Sequence, residues 1–375
     1  MTFFLLLFLT LLYISLSKYK YCISAKRYIY IASTLLILLS GLRHEGVGND
    51  TYAYMLSFDH SSSITWSEVF EDFFRRYLFP MDDGEKDPGM LFFVKLLHTL
   101  HIDSRLYLFV VAAFLITPIG VFTYKYSQNL KTVLFSYCFY VTLFYGYLPN
   151  SALRQSMALA FVLWSYLLLR ERKILISLLL IICGSLFHKS ALVAMVLLPF
   201  LYCKNVRTIY YLSIIPFFVI LIFPAEVGQF LLDDNEIYGG YFSSTYFSAL
   251  KQDRPFVVIL LMTVLYGIGF LHKKESPHRI LFYGCALTFI LTPLIWANPT
   301  ALRVISYFAP CMGVLVGSVL SEKKYKLYMY VIMMAFFLQS IRAIGNYRFM
   351  WQDMELHERY AKHVHKKNNN EINYG

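Results

Sequence analysis

Residues 28–54 read YIYIASTLLILLSGLRHEGVGNDTYAY, an apolar segment followed directly by a polar one that contains glycine. The first part, 28–42, is predicted to be a membrane-spanning helix. The second part, 41–54, brings four ionisable side chains close together on a glycine-containing turn: Arg43, His44, Glu45 and Asp50. A cation, an imidazole and two carboxylates at the end of a span suit a charged, hydroxyl-rich ligand at a membrane surface.

The composition of the whole chain is that of a membrane protein. Of its 375 residues, 58% are hydrophobic and only 15% are charged, whereas a soluble domain carries about 25% charged residues. The apolar runs are continuous, which excludes the alternating pattern of a transmembrane barrel. We therefore predict an all-α, polytopic integral membrane protein with one transmembrane domain, 1–345, and a polar C-terminal tail, 346–375.

The apolar runs predict about twelve transmembrane helices. Residues 89–101 form a shorter apolar run, and we expect a re-entrant or interfacial helix there. Two long loops, about 43–88 and 225–254, are predicted on the outer face. The twelve predicted spans are 2–17, 28–42, 105–124, 132–148, 152–169, 174–187, 190–203, 208–224, 256–271, 280–296, 302–320 and 327–343.

The charge distribution sets the predicted orientation. The formal net charge is +11, but the basic residues lie in short loops between apolar runs, as membrane topology requires, so no nucleic-acid partner is expected. The six predicted inner loops hold 17 Lys or Arg and 3 acidic residues, whereas the two long outer loops hold 6 and 15. The N-terminus is therefore predicted outside, while the mixed charge of the tail leaves its side open.

Three arginines break the positive-inside trend, because each lies where a predicted span meets the outer face: Arg43, Arg154 and Arg303. One arginine at a helix end is commonly a snorkelling anchor. Three on one face, each beside a Pro, Gly or Asn turn, favour a binding role instead. Arginine presents a planar fork of donors that suits phosphate oxygens, so we expect these residues to hold a pyrophosphate group.

Several side chains near the predicted outer face are candidates for a catalytic base. His188 closes the hairpin between the spans 174–187 and 190–203, where it either caps a helix carbonyl or acts as a general base or a phosphate ligand. Asp50 is either a base or the N-cap of a following helix. His44 and Glu45 compete for the same role.

Other features carry weaker signals. Aromatic residues of the outer loops either stack on sugar rings or belong to the interfacial belt; they are Trp66, Tyr238, Tyr241, Tyr246 and Trp296. No nucleotide-binding, metalloprotease or serine-hydrolase motif occurs, so neither a cofactor nor a metal is expected. The six cysteines have no metal-ligand spacing and are predicted to be small buried side chains: Cys22, Cys138, Cys183, Cys203, Cys285 and Cys311.

Four short motifs together resemble a known family. Residues 42–54, 87–90, 150–158 and 187–191 read LRHEGVGNDTYAY, DPGM, NSALRQSMA and FHKSA. In this order they resemble the motifs of the EpsG family of polysaccharide polymerases. The resemblance covers roughly 42–191 through these motifs, and the hydropathy pattern is similar along the whole chain.

The resemblance implies a Wzy-type polymerase of the bacterial inner membrane. Such proteins join repeat units carried on undecaprenyl pyrophosphate at the periplasmic or outer face, and they build O-antigen for lipopolysaccharide, capsule or exopolysaccharide. A flippase and a chain-length regulator of the same pathway are the expected protein partners. The positions it marks for function are Arg43, Asp50, Asn150, Arg154, Gln155 and His188, whereas Arg303 is predicted from topology alone.

Two other functions remain open at this stage. An O-antigen ligase-like transferase would move a finished glycan to another acceptor. A flippase or transporter would move the lipid-linked unit across the bilayer, and transporters place charged residues near the bilayer midplane. The candidate residues gather at one predicted face, which favours chemistry at the surface.

Overall fold

The structure is a computed structural model of the full chain. It describes residues 1–19, 21–48, 50–78, 88–127, 129–200, 202, 205–224, 226–227, 254–271, 279–297, 301–342 and 347–353. Most of the predicted outer loop 225–254, including Tyr238, Tyr241 and Tyr246, lies outside the described residues. So do the turn at Asn298 and Pro299 and the tail beyond residue 353.

Helices make up nearly all of the described chain, which agrees with the all-α prediction. In chain order they are α1 (Thr2–Leu16), α2 (Tyr21–Gly41), α3 (Thr51–His60), α4 (Trp66–Leu78), α5 (Pro88–Thr99), α6 (Ser104–Tyr126), α7 (Leu130–Tyr140), α8 (Leu148–Ser151), α9 (Leu153–Arg170), α10 (Ile174–Phe187), α11 (Leu197–Phe200), α12 (Val206–Leu212), α13 (Ile214–Ile222), α14 (Arg254–Gly269), α15 (Arg279–Leu291), α16 (Leu294–Ala297), α17 (Leu302–Leu320) and α18 (Lys326–Arg342). A π-helical turn, Val141–Tyr145, follows α7, and a 3-10 helix, Lys189–Val196, precedes α11.

Only some of the predicted spans correspond to described helices of full spanning length. Among the described residues, four helices are long and apolar enough to cross a bilayer: Ile23–Gly41, Ser104–Tyr126, Arg279–Trp296 and Leu302–Leu320. The pair Leu130–Ser151 and Leu153–Arg170, which bends by 119°, raises the count to five if it forms one span. The structure thus shows a helical membrane protein, and the prediction of twelve spans is not confirmed.

Among the described residues, several other predicted spans form apolar helices that are shorter than a full span. A span needs about 20 residues, whereas α1 has 15 and α10 has 14. The predicted span 190–203 begins as the 3-10 helix Lys189–Val196, and the predicted span 208–224 is divided into α12 and α13. At that division the Ser213 hydroxyl donates to the Tyr210 carbonyl at 2.7 Å.

The predicted short helix near 89–101 is α5, which begins at Pro88 and has 12 residues. Proline suits the first position of a helix, where its missing N–H has no partner to lose. A Cβ atom on Gly89 would lie 2.9 Å from the backbone of Leu186. Only glycine therefore lets α5 approach the C-terminal end of α10 so closely.

Helix α17 lies at the centre of the bundle, and small residues let its neighbours approach it. A Cβ atom on Gly317 would lie 3.1 Å from the Thr132 carbonyl oxygen of α7, and one on Gly284 of α15 would lie 2.5 Å from Cys311. Close contact at small residues is a common way for membrane helices to pack. These contacts fix α17, and with it Arg303 near its N-terminal end.

The cysteine prediction is confirmed for three of the six residues. Cys138, Cys285 and Cys311 are buried free thiols, and Cys183 is a partly exposed free thiol. The side chains of Cys22 and Cys203 lie outside the described residues.

The first residues of the tail return to the end of α2. The backbone N–H of His44 donates to the Arg348 carbonyl at 2.8 Å, and that of Met350 donates to the Leu42 carbonyl at 2.9 Å. Arg43 and Phe349 thereby form an antiparallel bridge. The segment 347–353 consequently lies at the same end of the bundle as Arg43, which the charges of the tail could not establish.

Cysteine labelling tests this arrangement of the chain ends. In a variant without its natural cysteines, Glu45→Cys and Asp353→Cys should react with a membrane-impermeant maleimide added from the same side. Lys324→Cys, just past the far end of α17, should react only from the opposite side. Labelling of Asp353→Cys and Lys324→Cys from one side would contradict the described position of the tail.

Candidate functional site

The loop after α2 is docked on α8 through a glycine. Gly48 has a φ of +89°, and a Cβ atom there would lie 1.9 Å from the Asn150 carbonyl oxygen. Glycine is the residue that adopts such a φ readily and leaves room for a backbone oxygen. The first and third sequence motifs therefore meet through a direct backbone contact.

Arg43 is a fully buried cation, with 0% of its surface exposed. Its Nη1 donates to the backbone carbonyl and, at 3.1 Å, to the hydroxyl of Ser40, and its Nε donates to the Thr51 hydroxyl at 3.3 Å. Its Nη2 is buried and has no hydrogen-bond partner among the described residues. Burial lowers the pKa of Arg43 to about 10, so the side chain remains charged at neutral pH. Direct binding of a ligand by Arg43 stays a prediction, because the described contacts link protein segments.

Two hydroxyls and one amide extend this buried link. The Thr51 hydroxyl lies 2.7 Å from the Asn150 carbonyl oxygen, to which it can donate. The Ser40 hydroxyl lies 3.2 Å from Asn150 Oδ1, and Asn150 Nδ2 donates to the Tyr145 carbonyl at 3.3 Å. Asn150 therefore joins α2 to the segment around α8, and substrate binding by its side chain stays a prediction.

Asp50 stands at the N-cap position of α3, but its side chain makes no capping hydrogen bond. Capping thus accounts for its backbone position and not for its carboxylate. The negative charge of Asp50 acts on Tyr54, where it contributes to a raised pKa that burial chiefly causes. Asp50 therefore lies close to Tyr54, whose contacts are described next.

Tyrosine hydroxyls hold the other two arginines of the predicted set. Arg154 Nε donates to the Tyr54 hydroxyl at 3.4 Å, and Arg303 Nε donates to the Tyr147 hydroxyl at 2.7 Å. Both guanidinium charges act on Tyr54, since each opposes the rise that burial causes in its pKa. Helices α9 and α17 thereby bring two cations to one place.

Gln155 ties these two helices together. Its Nε2 donates to the Arg303 carbonyl at 2.6 Å and to the Ser306 hydroxyl at 2.9 Å, and its Oε1 accepts from the Tyr147 hydroxyl at 3.1 Å. The side chain is buried, with 1% exposed. These contacts make Gln155 a residue that aligns the two arginines, and its predicted contact with substrate is untested.

His188 ends α10 beside the same two arginines. The Ser190 hydroxyl lies 2.6 Å from His188 Nδ1 and 3.1 Å from the Tyr307 hydroxyl on α17. Burial, together with the charges of Arg303 and Arg154, lowers the pKa of His188 to about 3, so the imidazole is neutral at neutral pH. An unfolded histidine has a pKa of about 6.5, so this residue makes folding less favourable as the pH falls from about 6.5 towards 3.

The remaining motifs position His188. Gly89 of the second motif packs against Leu186, and a Cβ atom on Gly184 would lie 3.1 Å from the Ala158 carbonyl oxygen of the third motif. The Phe187 ring stacks on Phe161 of α9, with ring centroids 5.5 Å apart. The end of α10 is therefore held between α5 and α9.

His44 and Glu45 lie near the start of the first motif and contact other residues of that motif. His44 Nδ1 accepts from the backbone N–H of Gly46 at 3.0 Å, which stabilises the turn. The charge of Glu45 contributes to raising the pKa of Tyr52, mainly raised by burial. The contacts of the described residues join neither side chain to the cluster around Arg154 and Arg303, and their catalytic roles stay predictions.

The aromatic residues of the predicted outer loops are only partly described. Trp66 packs on Phe92 of α5, with ring centroids 5.6 Å apart, while Trp296 is 56% exposed. Among the described residues, no group of three or more His, Cys, Asp and Glu is arranged to hold a metal ion.

The structure thus assembles part of the predicted set into one group, here called the arginine cluster: Asp50, Arg154, Gln155, His188 and Arg303. Sequence reasoning missed the hydroxyl groups that hold it. Tyr54 and Ser190 lie inside motifs already singled out, so their spacing carried a signal. Tyr147 and Tyr307 lie outside the motifs, in a chain with 31 tyrosines, and had no distinguishing signal.

A glycine substitution tests the docking of the first motif. Gly48→Ala should lower the melting temperature of the detergent-purified protein, because a left-handed φ costs an L-residue about 1–3 kcal/mol and the added Cβ meets a backbone oxygen. Gly146→Ala is the matched control, because a Cβ there meets no atom within 4 Å. Equal melting temperatures for both variants would contradict the described contact with Asn150.

Comparison with protein families gives one result that covers most of the chain. Residues 26–352 match the EpsG family, a span that includes all four motifs and the arginine cluster. No curated protein and no solved structure is significantly similar to the chain. A match of this extent shows that the chain is a member of the EpsG family.

Proposed function

We propose that the protein is a membrane glycosyltransferase that polymerises oligosaccharide repeat units carried on a lipid pyrophosphate. Family membership supports a polysaccharide polymerase-type role. The observation that carries the proposal is the meeting of Arg154 and Arg303: Tyr147 bonds both Arg303 and Gln155, the residue next to Arg154, and the charges of both arginines act on His188. Two fixed cations at one end of a helical bundle suit a pyrophosphate that a lipid presents from the bilayer.

The proposed reaction is a displacement at an anomeric carbon. A hydroxyl oxygen of the acceptor's terminal sugar forms a bond to the anomeric carbon of the donor glycan. The bond from that carbon to the lipid pyrophosphate breaks, and its electron pair leaves with the phosphate oxygen. The hydroxyl proton passes to a base on the protein, so charge and atoms balance without a further reactant.

In this reaction the arginines act on the leaving group. Negative charge grows on the departing pyrophosphate, and positive groups fixed in advance stabilise it without reorganisation. Gln155 keeps Arg303 aligned with Arg154, because it bonds the Arg303 backbone from the helix that carries Arg154. Arg43 supports the same arrangement from its buried position, through Thr51 and Asn150.

Two candidates for the base fit the site. His188 is a weak base in the unliganded protein, because its pKa is about 3. A pyrophosphate beside Arg154 and Arg303 would offset their charges, which raises the pKa of His188 and its basicity. Asp50 is the second candidate, since its charge acts on the same tyrosine that Arg154 contacts.

The cellular setting follows from the same proposal. The donor and acceptor are units on undecaprenyl pyrophosphate, and the reaction takes place at the outer face of a bacterial inner membrane. The product is O-antigen, capsule or exopolysaccharide. The flippase that delivers the units and a regulator of chain length are the expected partners.

Arginine variants test the site assignment. Arg154→Gln and Arg303→Gln should each slow elongation of lipid-linked units by about 100- to 1000-fold, the usual cost of removing one fixed donor. Arg105→Gln is the control, because Arg105 lies at the start of α6 and has no described contact with the arginine cluster. The measurement is product length over time in proteoliposomes that contain equal amounts of each folded protein.

Wild-type rates for both cluster variants would contradict the site.

A cell that lacks the protein separates the rival functions. Loss of a polymerase leaves single capped units, loss of a ligase leaves long lipid-linked chains, and loss of a flippase leaves units on the inner leaflet. Only the first outcome supports the proposal.

A further inference from the structure

The segment after the last helix adds a β-like strand to the first motif. Residues 347–352, here called the strap, pair with residues 42–44 through two backbone hydrogen bonds that flank Arg43 and Phe349. In this geometry the two residues form a non-hydrogen-bonded pair, whose Cα atoms lie about 4.5 Å apart. The Tyr347 hydroxyl also donates to the Leu39 carbonyl at 2.5 Å, across 308 residues of sequence.

The strap has a continuous aromatic face. Tyr347, Phe349 and Trp351 occupy alternate positions along it, and the neighbouring rings of the three are in contact. Phe349 and Trp351 stack with ring centroids 4.7 Å apart and an interplanar angle of 3°, and Tyr347 packs edge-on against Phe349 at 5.3 Å. A turn closes the strap, because Gln352 Oε1 accepts from the Phe349 N–H and the Gln352 N–H donates to the Phe349 carbonyl.

The strap lies against the buried cation of the first motif. Tyr347 is close enough that the charge of Arg43 acts on its hydroxyl, and Arg43 has no exposed surface. Arg43 in turn bonds Thr51, and Thr51 bonds the Asn150 carbonyl. A contiguous series of contacts therefore runs from the strap to the segment that precedes Arg154.

The extent of the family match gives independent support. The match ends at residue 352, which is also the last residue of the strap, and it leaves the remainder of the tail outside. A tail that served only as a polar extension would give no reason for the match to continue past α18. The strap therefore lies inside the part of the chain that matches the family.

We propose that the strap positions Arg43 and the first motif for polymerisation, so that activity requires the chain through residue 352 but not residues 354–375. Tyr347 and Phe349 are positioning residues in this proposal, because they act through Arg43 and have no described contact with the arginine cluster. The proposal rests on the polymerase function above.

Two truncations test the proposal in proteoliposomes. A chain ending after Asp353 should elongate lipid-linked units at the wild-type rate. A chain ending after Arg342, which lacks the strap, should lose about 100-fold in kcat, since a small displacement of a positioned group has costs of this size. Equal rates for the two truncations would overturn the proposal. A wild-type protein that fails to elongate would instead overturn the polymerase function.

Point variants keep the test informative if the shorter chain does not fold. Phe349→Ala should lower kcat with little change in KM, and Phe349→Tyr should restore it because the ring stack is kept. Phe4→Ala is the matched control, because Phe4 is an exposed aromatic residue that lines the same apolar groove as Phe349. A wild-type kcat for Phe349→Ala would overturn the proposal.

A double-mutant cycle separates positioning from general destabilisation. If the strap acts through Arg43, Phe349→Ala should cause little further loss of kcat in an Arg43→Lys background, because coupled residues are not additive. If the two losses multiply as independent effects, the strap does not act through Arg43 and the proposal is wrong.

Discussion

The approach of two like charges is the constraint on which the site depends. Arg154 and Arg303 come from different helices, yet both act on His188 and on Tyr54. Cations that are brought together repel each other, so other contacts must hold their positions. Among the contacts that hold them are those of the Tyr54, Tyr147 and Gln155 side chains. An anion with several oxygens is the ligand that such an arrangement favours.

Close backbone contacts at glycines in or beside the motifs hold this arrangement. Gly48 seats the first motif on Asn150, Gly89 seats α5 on the end of α10, and Gly184 seats α10 on α9. At each of these three positions the glycine has no side chain, so the backbone of the neighbouring element can lie close to it. The charged residues make the motifs conspicuous, but the glycine contacts determine where those charges lie.

Much of the site could be predicted from the sequence, whereas the number of spans could not. Arg154 and Arg303 stood out because a cation at the outer end of an apolar run has few structural reasons to be there. The twelve predicted spans are not confirmed, and an apolar run of about 15 residues is as typical of a buried helix as of a crossing one. The interior of a helical bundle is apolar in both cases, so hydropathy does not distinguish them.

Long-range contacts had no local signal at all. The strap pairs with a motif about 300 residues earlier, and nothing in residues 347–352 alone indicates a strand partner. The sequence and the structure indicate different roles for Arg43 for the same reason. Its sequence context indicates a ligand-binding residue, and only the contacts with Ser40, Thr51 and the strap show that it is enclosed.

Binding of pyrophosphate by the arginine cluster should change the ionisation of His188, because both arginines act on this imidazole. In ring-¹⁵N histidine NMR, with His188→Gln used to assign the signal, His188 should remain neutral down to about pH 4 in the unliganded protein. Added inorganic pyrophosphate should raise the pKa of His188 by about one unit or more, as a nearby negative charge does. A pKa of His188 near 6.5 without ligand would show that the arginines do not act on it, and no response to pyrophosphate would show that the arginine cluster does not bind this anion.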